Sequence, residues 1–87
     1  MNWYVYIVNC SDDSFYTGIT NNLENRIKVH NSGKGAKYTK YRLPIQLVWF
    51  IMVENKSKAL KLEYKIKQLS RKQKIEIIEG NVSKYLH

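Results

Sequence analysis

The sequence predicts an α+β domain of element order β-β-α-β-α-α, with helices packed on a three-stranded, largely antiparallel sheet. Three observations predict it. Two short stretches near the N-terminus alternate with strand period around a turn. An unbroken apolar run lies near the middle of the chain, and the remaining segments carry helical spacing between recognisable caps. Eighty-seven residues with 44% apolar content are expected to form one domain, residues 1–87. A chain of this length buries roughly 60–65% of its unfolded surface, enough for a single core.

Residues 3–8 place Trp3, Val5 and Ile7 on one face and Tyr4, Tyr6 and Val8 on the other. Residues 14–20 divide in the same way, with Phe15, Thr17 and Ile19 opposed to Tyr16 and Gly18. Ser11-Asp12-Asp13-Ser14 between them is turn chemistry, so the pair reads as a hairpin. A one-residue slip would turn every side chain over. Only registers whose paired positions have an even sum unite Tyr4, Tyr6 and Tyr16; with a sum of 24, Tyr6 lies across from Gly18, Val8 from Tyr16, Val5 from Ile19 and Ile7 from Thr17. Its odd-length loop calls for a left-handed residue, Asp12 or Asp13. The tyrosine face then has a bare spot at Gly18, where a ligand backbone could approach closely.

Asn21 is expected to cap the first helix, with Glu24 completing a capping box and Gly33 supplying the exit. Leu23, Ile27 and His30 share one side of it, and Arg26 lies one turn before His30. Taken alone, Arg26 reads sooner as a snorkelling surface residue; placed directly after a hairpin with a tyrosine face, it points to an anion. Residues 33–44 have no clean period and read as a loop in which Lys34, Lys37, Lys40 and Arg42 alternate with Tyr38 and Tyr41. Cations neutralise phosphates and rings stack on unpaired bases, so the loop is a candidate nucleic-acid contact. Gln46 to Met52 is a long branched and aromatic run, which predicts a strand buried on both faces at the centre of the sheet. Asn55 or Ser57 caps the next helix, expected to run to about Leu69, with Ala59, Leu62, Ile66 and Leu69 as its core stripe. Glu63 projects only about 40° from Ala59 around that helix, at the margin of the stripe. It either pairs with Lys67 one turn on or points into the polar cleft. Ser70 and Gln73 form a capping box for a third helix ending at Gly80, and Val82, Tyr85 and Leu86 could add a last half-turn.

Fifteen Lys and Arg against seven Asp and Glu give a net charge of +8, which favours a polyanionic partner. Cys10 is single, so neither a disulfide framework nor a paired-cysteine zinc site is available; it is expected as a buried or half-buried thiol. No apolar stretch approaches the ~18 residues of a membrane span, and no export signal is visible. The expected location is the cytoplasm.

Tyr4-Val5-Tyr6, Tyr16-Thr17-Gly18, the helical Arg26 and the later helical Glu63 together resemble the GIY-YIG nuclease superfamily, over nearly the whole chain. The chain looks closest to small stand-alone bacterial members without an assigned role. Tyr6, Tyr16, Gly18, Arg26 and Glu63 match the family pattern, and His30-Asn31 matches a subset of it. Tyr4 stands where the first motif has glycine, and Asn81 is the sole late candidate for the family's asparagine. The resemblance implies phosphodiester hydrolysis with one divalent ion, Mg²⁺ or Mn²⁺, held by Glu63, and with Tyr6 as general base. Arg26 would grip the phosphate, Tyr16 would position water or phosphate, and His30 would relay a proton or hold Tyr6. The expected substrate is DNA, with branched, nicked or single-stranded forms favoured because no separate recognition domain is seen. Two alternatives stand beside this: a non-catalytic nucleic-acid-binding module with a degenerate site, and a protein-interaction domain for acidic partners.

Overall fold

The computed structural model describes residues 2–81. The expected half-turn at Val82, Tyr85 and Leu86 lies outside them. Seven elements follow one another: β1 (Trp3–Asn9), β2 (Phe15–Thr20), α1 (Leu23–Asn31), α2 (Lys37–Lys40), β3 (Gln46–Val53), α3 (Lys56–Lys67) and α4 (Arg71–Ile78). The α+β class and the antiparallel three-stranded sheet are as expected, with one added turn of helix, α2, inside the predicted loop. Four residues are too few to show a period, which is why the sequence hides it.

The hairpin takes the predicted register: Tyr6 pairs with Gly18, Val8 with Tyr16, Val5 with Ile19 and Ile7 with Thr17. Asp13 is the left-handed residue, at φ 65°. Asp12 closes the turn by accepting from the Ser14 amide at 3.1 Å and from the Ser14 hydroxyl at 2.5 Å.

The sheet order corrects one expectation. It is β2-β1-β3, so β1 is central and the apolar run of β3 lies at an edge. Val5, Tyr6, Ile7 and Val8 of β1 are each fully buried, whereas Phe50 and Met52 of β3 are 51% and 54% exposed. Hydrophobicity alone misleads here, because burial follows from having a strand on both sides and helices on both faces. β1 has all of these, and its tyrosines conceal the fact by resembling a wet face. A bulge between Ile7 and Val8 leaves Val48 as the extra residue of β3.

One face of the sheet, with Val5 and Ile7, packs against Ala59 and Ile66 of α3 and Ile78 of α4. The other, with Tyr6 and Val8, packs against Leu23 and Ile27 of α1 and against Cys10 and Ile45. The Cys10 thiol is buried, as expected.

The helix caps differ from expectation in one place. Asn22, rather than Asn21, caps α1 by accepting from the Asn25 amide at 3.1 Å. Glu24 is therefore one position too early for a capping box and pairs instead with Lys28 on the surface, at 3.6 Å. Gly33, at φ 82°, ends α1 in a Schellman motif: its amide donates to the His30 carbonyl at 3.0 Å and the Lys34 amide donates to Val29 at 3.3 Å. Asn55 caps α3, which stops at Lys67, two residues before the expected end. Ser70 and Gln73 make the predicted capping box of α4. Among the described residues no helix is long and apolar enough to cross a membrane.

Centre and edge differ energetically. Truncating Ile7 to Ala removes a fully buried side chain and should cost about 2–4 kcal/mol, while Met52→Ala should cost under about 1 kcal/mol. Urea denaturation of the two variants measures this; equal losses would contradict the strand order.

Candidate active site

Tyr6 sits in the middle of the central strand, facing α1, and its ring crosses the neighbouring strand over Gly18. A methyl at Gly18 would lie 2.5 Å from the Tyr6 hydroxyl and 2.7 Å from Cζ. The bare spot read as a place for a ligand backbone is thus filled on its Cβ side by the protein's own phenol, and there Gly18 makes room for Tyr6.

Two groups from α1 meet the Tyr6 hydroxyl. His30 Nε2 lies 2.8 Å away, and Arg26 Nε donates to the hydroxyl at 3.4 Å. Their spacing of four residues brings both to the sheet from a single helix face. Burial pushes the Tyr6 hydroxyl above the ordinary phenol range; the hydrogen bond and charge of Arg26 oppose this without overcoming it, and Tyr16 and Glu63 add to the rise. Tyr6 at rest is a neutral phenol.

His30 is fully buried. Its Nδ1 lies 2.8 Å from the hydroxyl of Thr39 in α2, and Thr39 donates in turn to the Ala36 carbonyl at 3.0 Å. Burial, reinforced by the Arg26 charge, lowers the His30 pKa from 6.5 to about 4, so the imidazole is neutral at pH 7. The adjoining Asn31 has a different task. Its side-chain amide donates to the Ile45 carbonyl at 3.3 Å and its oxygen accepts from the Ile45 amide at 2.8 Å, tying the end of α1 to the segment entering β3.

Tyr16 packs edge-on against the His30 ring with centroids 5.5 Å apart and stacks on Tyr38 at 5.9 Å. Arg42 lies over the Tyr38 ring, 4.0 Å from its centroid. Its Nε pairs with Asp12 at 3.0 Å and its NH1 donates to the Tyr38 carbonyl at 2.7 Å. Tyr38 and Arg42, expected as nucleic-acid contacts, also brace Tyr16 and the hairpin turn at the protein surface. Arg71 holds the same turn from α4, donating to the Asp13 carbonyl at 2.7 Å and its carboxylate at 3.0 Å. Lys34, Lys37 and Lys40 remain on the surface of the α2 segment.

Glu63 meets the reading of a helix-surface pair: Lys67 Nζ lies 3.5 Å from its Oε2. Its side chain is only 19% exposed, however, and the Lys67 ammonium also lies over the Tyr16 ring at 5.9 Å. Glu63 therefore borders the tyrosine cluster, near enough for its charge to act on Tyr6. No group of three or more His, Cys, Asp or Glu that could hold a metal occurs among the described residues. One half-buried carboxylate fits a hard divalent cation that keeps most of its water, as Mg²⁺ does. Asn81 lies exposed beyond α4, where its amide caps the helix through the Glu76 carbonyl at 2.9 Å.

The structure thus brings Tyr6, Tyr16, Arg26 and His30 into direct contact and joins Glu63 to them through Lys67. Sequence reading missed Thr39 and the approach of Lys67 to Tyr16. Thr39 lies within a segment without period, and its partner is nine residues away, so no local spacing signals it. Lys67 was visible as the i+4 neighbour of Glu63, though not its approach to Tyr16.

The hairpin carries the tyrosine pair, the next helix Arg26 and His30, and a later helix Glu63, on the frame of a GIY-YIG catalytic domain. The profile of that domain matches residues 2–76, and the chain belongs to the GIY-YIG family. Among its relatives are UPF0213 proteins. It is 57% identical to one from Clostridium perfringens, over 88% of this chain and 83% of that protein. A second, from Staphylococcus haemolyticus, is 58% identical over 87% of this chain and 93% of its own length. The solution NMR structure of the UPF0213 protein of Bacillus halodurans superposes with a TM-score of 0.59 at 48% identity, covering 91% of this chain and 84% of that one. That of protein EF2693 from E. faecalis gives 0.65 at 38% identity, over 100% and 93%.

A histidine buried in its neutral form resists protonation in the folded state. Its contribution to stability is complete above pH 6.5 and is lost as pH falls from there toward 4, up to about 3 kcal/mol. Urea denaturation between pH 7 and pH 5 should show falling stability in the wild type and a flatter profile in His30→Gln. A His30 ring titrating near 6.5 by NMR would contradict its burial.

Proposed function

We propose that the protein is a metal-dependent endonuclease that hydrolyses phosphodiesters in DNA, with branched, nicked or single-stranded forms as substrates. The observation that carries this reading is the hydrogen-bonded cluster of Tyr6, His30 and Arg26 bordered by the half-buried Glu63, on a frame whose family is that of a catalytic domain. Glu63 would hold one Mg²⁺ or Mn²⁺, with water and phosphate oxygens completing the shell. When bound, such an ion supplies charge neutralisation at the phosphoryl oxygens and a more acidic water.

The chain's own residues supply the rest. Arg26 is the half-exposed member of the cluster, and its planar fork suits two phosphate oxygens. Turning toward a phosphate, it uncovers the Tyr6 hydroxyl, which is enclosed in the free protein. Tyr6 then accepts a proton from the attacking water as it passes its own phenolic proton to His30 Nε2, 2.8 Å away, and Tyr16 orients water or phosphate by its hydroxyl. Lys67 must release Glu63 for the carboxylate to serve as a ligand, so metal binding without DNA is weak. The lysines at positions 34, 37 and 40 meet the DNA backbone away from the cleavage point.

One observation favours a second reading, a nucleic-acid-binding module without catalysis. Tyr6 is neutral and enclosed, and Glu63 already has a cationic partner.

The two readings divide on one experiment: incubation of duplex, single-stranded, flapped and four-way DNA with Mg²⁺ or Mn²⁺. Wild type should nick or cut at least one of these and lose the activity with chelator. Glu63→Ala should abolish cleavage without unfolding the protein, Tyr6→Phe should slow it about 10²- to 10⁴-fold, and Arg26→Lys should impair it. Equal cleavage by wild type and Glu63→Ala would remove Glu63 from the mechanism. Binding without cleavage by wild type would establish the second reading.

Binding should also weaken steeply with salt. Replacing Lys34, Lys37 and Lys40 with Gln should flatten the dependence of log K on log salt by up to about 0.9 per lysine in phosphate contact. An unchanged slope in a filter-binding titration would place the DNA elsewhere.

A further inference from the structure

The α2 segment, Lys37–Lys40, was read from sequence as a surface for nucleic acid, yet its best-buried residue faces inward. Thr39 is fully buried, and its hydroxyl bridges His30 Nδ1 at 2.8 Å and the Ala36 carbonyl at 3.0 Å. Gly35, just before the helix, also packs on His30; a side chain there would strike Nδ1, and Cγ would lie 2.8 Å from it. Two positions of one short segment are therefore shaped around one imidazole, and neither has a role in the reaction described above.

A neutral imidazole carries a single ring proton, and the partner of one nitrogen determines the task of the other. The Thr39 hydroxyl also has only one proton. The Ala36 carbonyl, three residues earlier in the same turn, can only accept, and donation to such a carbonyl is the usual habit of a helical threonine. The lone pairs of the hydroxyl are then left for Nδ1–H. We infer that Thr39 is a positioning residue that holds His30 in the Nδ1–H tautomer, so that bare Nε2 accepts the proton of the Tyr6 hydroxyl.

The consequence for rate rests on the nuclease reading. Water attacking phosphorus gives its proton to the Tyr6 oxygen as the Tyr6 proton passes to His30 Nε2. The new P–O bond forms, the bond to the leaving oxygen breaks, and the leaving oxygen takes up a proton from solvent. His30 becomes an imidazolium whose Nδ1–H stays bonded to Thr39, and it later returns its extra proton to solvent. Tyr6 thereby serves as a base without existing as a free phenolate. The Arg26 charge opposes protonation of His30 in the free protein. An arriving phosphate offsets that charge, so the relay gains strength when substrate is in place.

The test reads the tautomer directly, by ¹⁵N long-range NMR of the His30 ring in the full chain at pH 7, beside cleavage assays of the same samples. Wild type and Thr39→Ser, which keeps the hydroxyl, should both show Nδ1–H with Nε2 as acceptor. Thr39→Val keeps the shape and removes the acceptor; its ring should leave the Nδ1–H form, and cleavage should fall about 10- to 100-fold, the scale for losing a group that orients a functional histidine. Nε2–H in wild type overturns the inference, whether or not Thr39→Val folds. So does a folded Thr39→Val that retains Nδ1–H. If the tautomers change as expected while no protein cuts any DNA, the assignment of Thr39 stands and the nuclease reading fails.

Discussion

The hydrogen bond between the Tyr6 hydroxyl and His30 Nε2 is the constraint around which the site is built. It joins the central strand to the first helix inside the core, where an unmet polar group costs about 1–3 kcal/mol. Most of the local peculiarities of the sequence follow from the need to satisfy it. Gly18 clears the path of the phenol ring, Gly35 clears a place beside the imidazole, and Thr39 receives the imidazole's other nitrogen. Arg26 closes the arrangement from the half-exposed side, as the charged member that both solvent and an anion can reach.

The positive charge has two distinct uses. Part of it is structural: Arg42 and Arg71 hold the two aspartates of the hairpin turn, and each lies over an aromatic ring, Tyr38 and Phe15 respectively. These arginines fix the turn between the strands that carry Tyr6 and Tyr16, and so fix the geometry of the tyrosine pair. They are exposed enough that each ion pair by itself contributes little; several contacts converging on one short turn make a more rigid frame than any single pair. The exposed lysines form the other part and leave the surface with an excess of positive charge. A residue's charge does not reveal which use it serves.

The apolar face of β3 tells a similar story about hydrophobicity. Phe50 lies edge-to-face against Tyr4 at 6.1 Å, on the sheet face that carries Tyr6. Together with Leu23, Ile27, Lys28 and Leu47 they line a cleft of about 540 Å³ between α1 and the outer strand. The long apolar run is therefore spent partly on the core and partly on an open wall, and its length reflects neither a central position nor burial on both faces.

Features governed by neighbours in the chain were legible in the sequence. Strand alternation and the turn aspartates narrowed the hairpin to even-sum registers and its left-handed residue to Asp12 or Asp13, because pleat and turn geometry are properties of a few consecutive residues. The Ser70–Gln73 box and the glycine exits of α1 and α4 were legible for the same reason, whereas Tyr6, Tyr16, Arg26 and His30 stood out as site residues only through the resemblance to the GIY-YIG pattern. What depends on contacts distant in sequence was decided by the tertiary structure alone. The position of β3 at the edge, the filling of the Gly18 gap by Tyr6, the diversion of Arg42 and Tyr38 into the frame, and the bond from Thr39 to His30 each require two segments to meet in space. Composition and period carry no record of such a meeting, since the same side chain can serve a core, a surface or a site according to what folds against it.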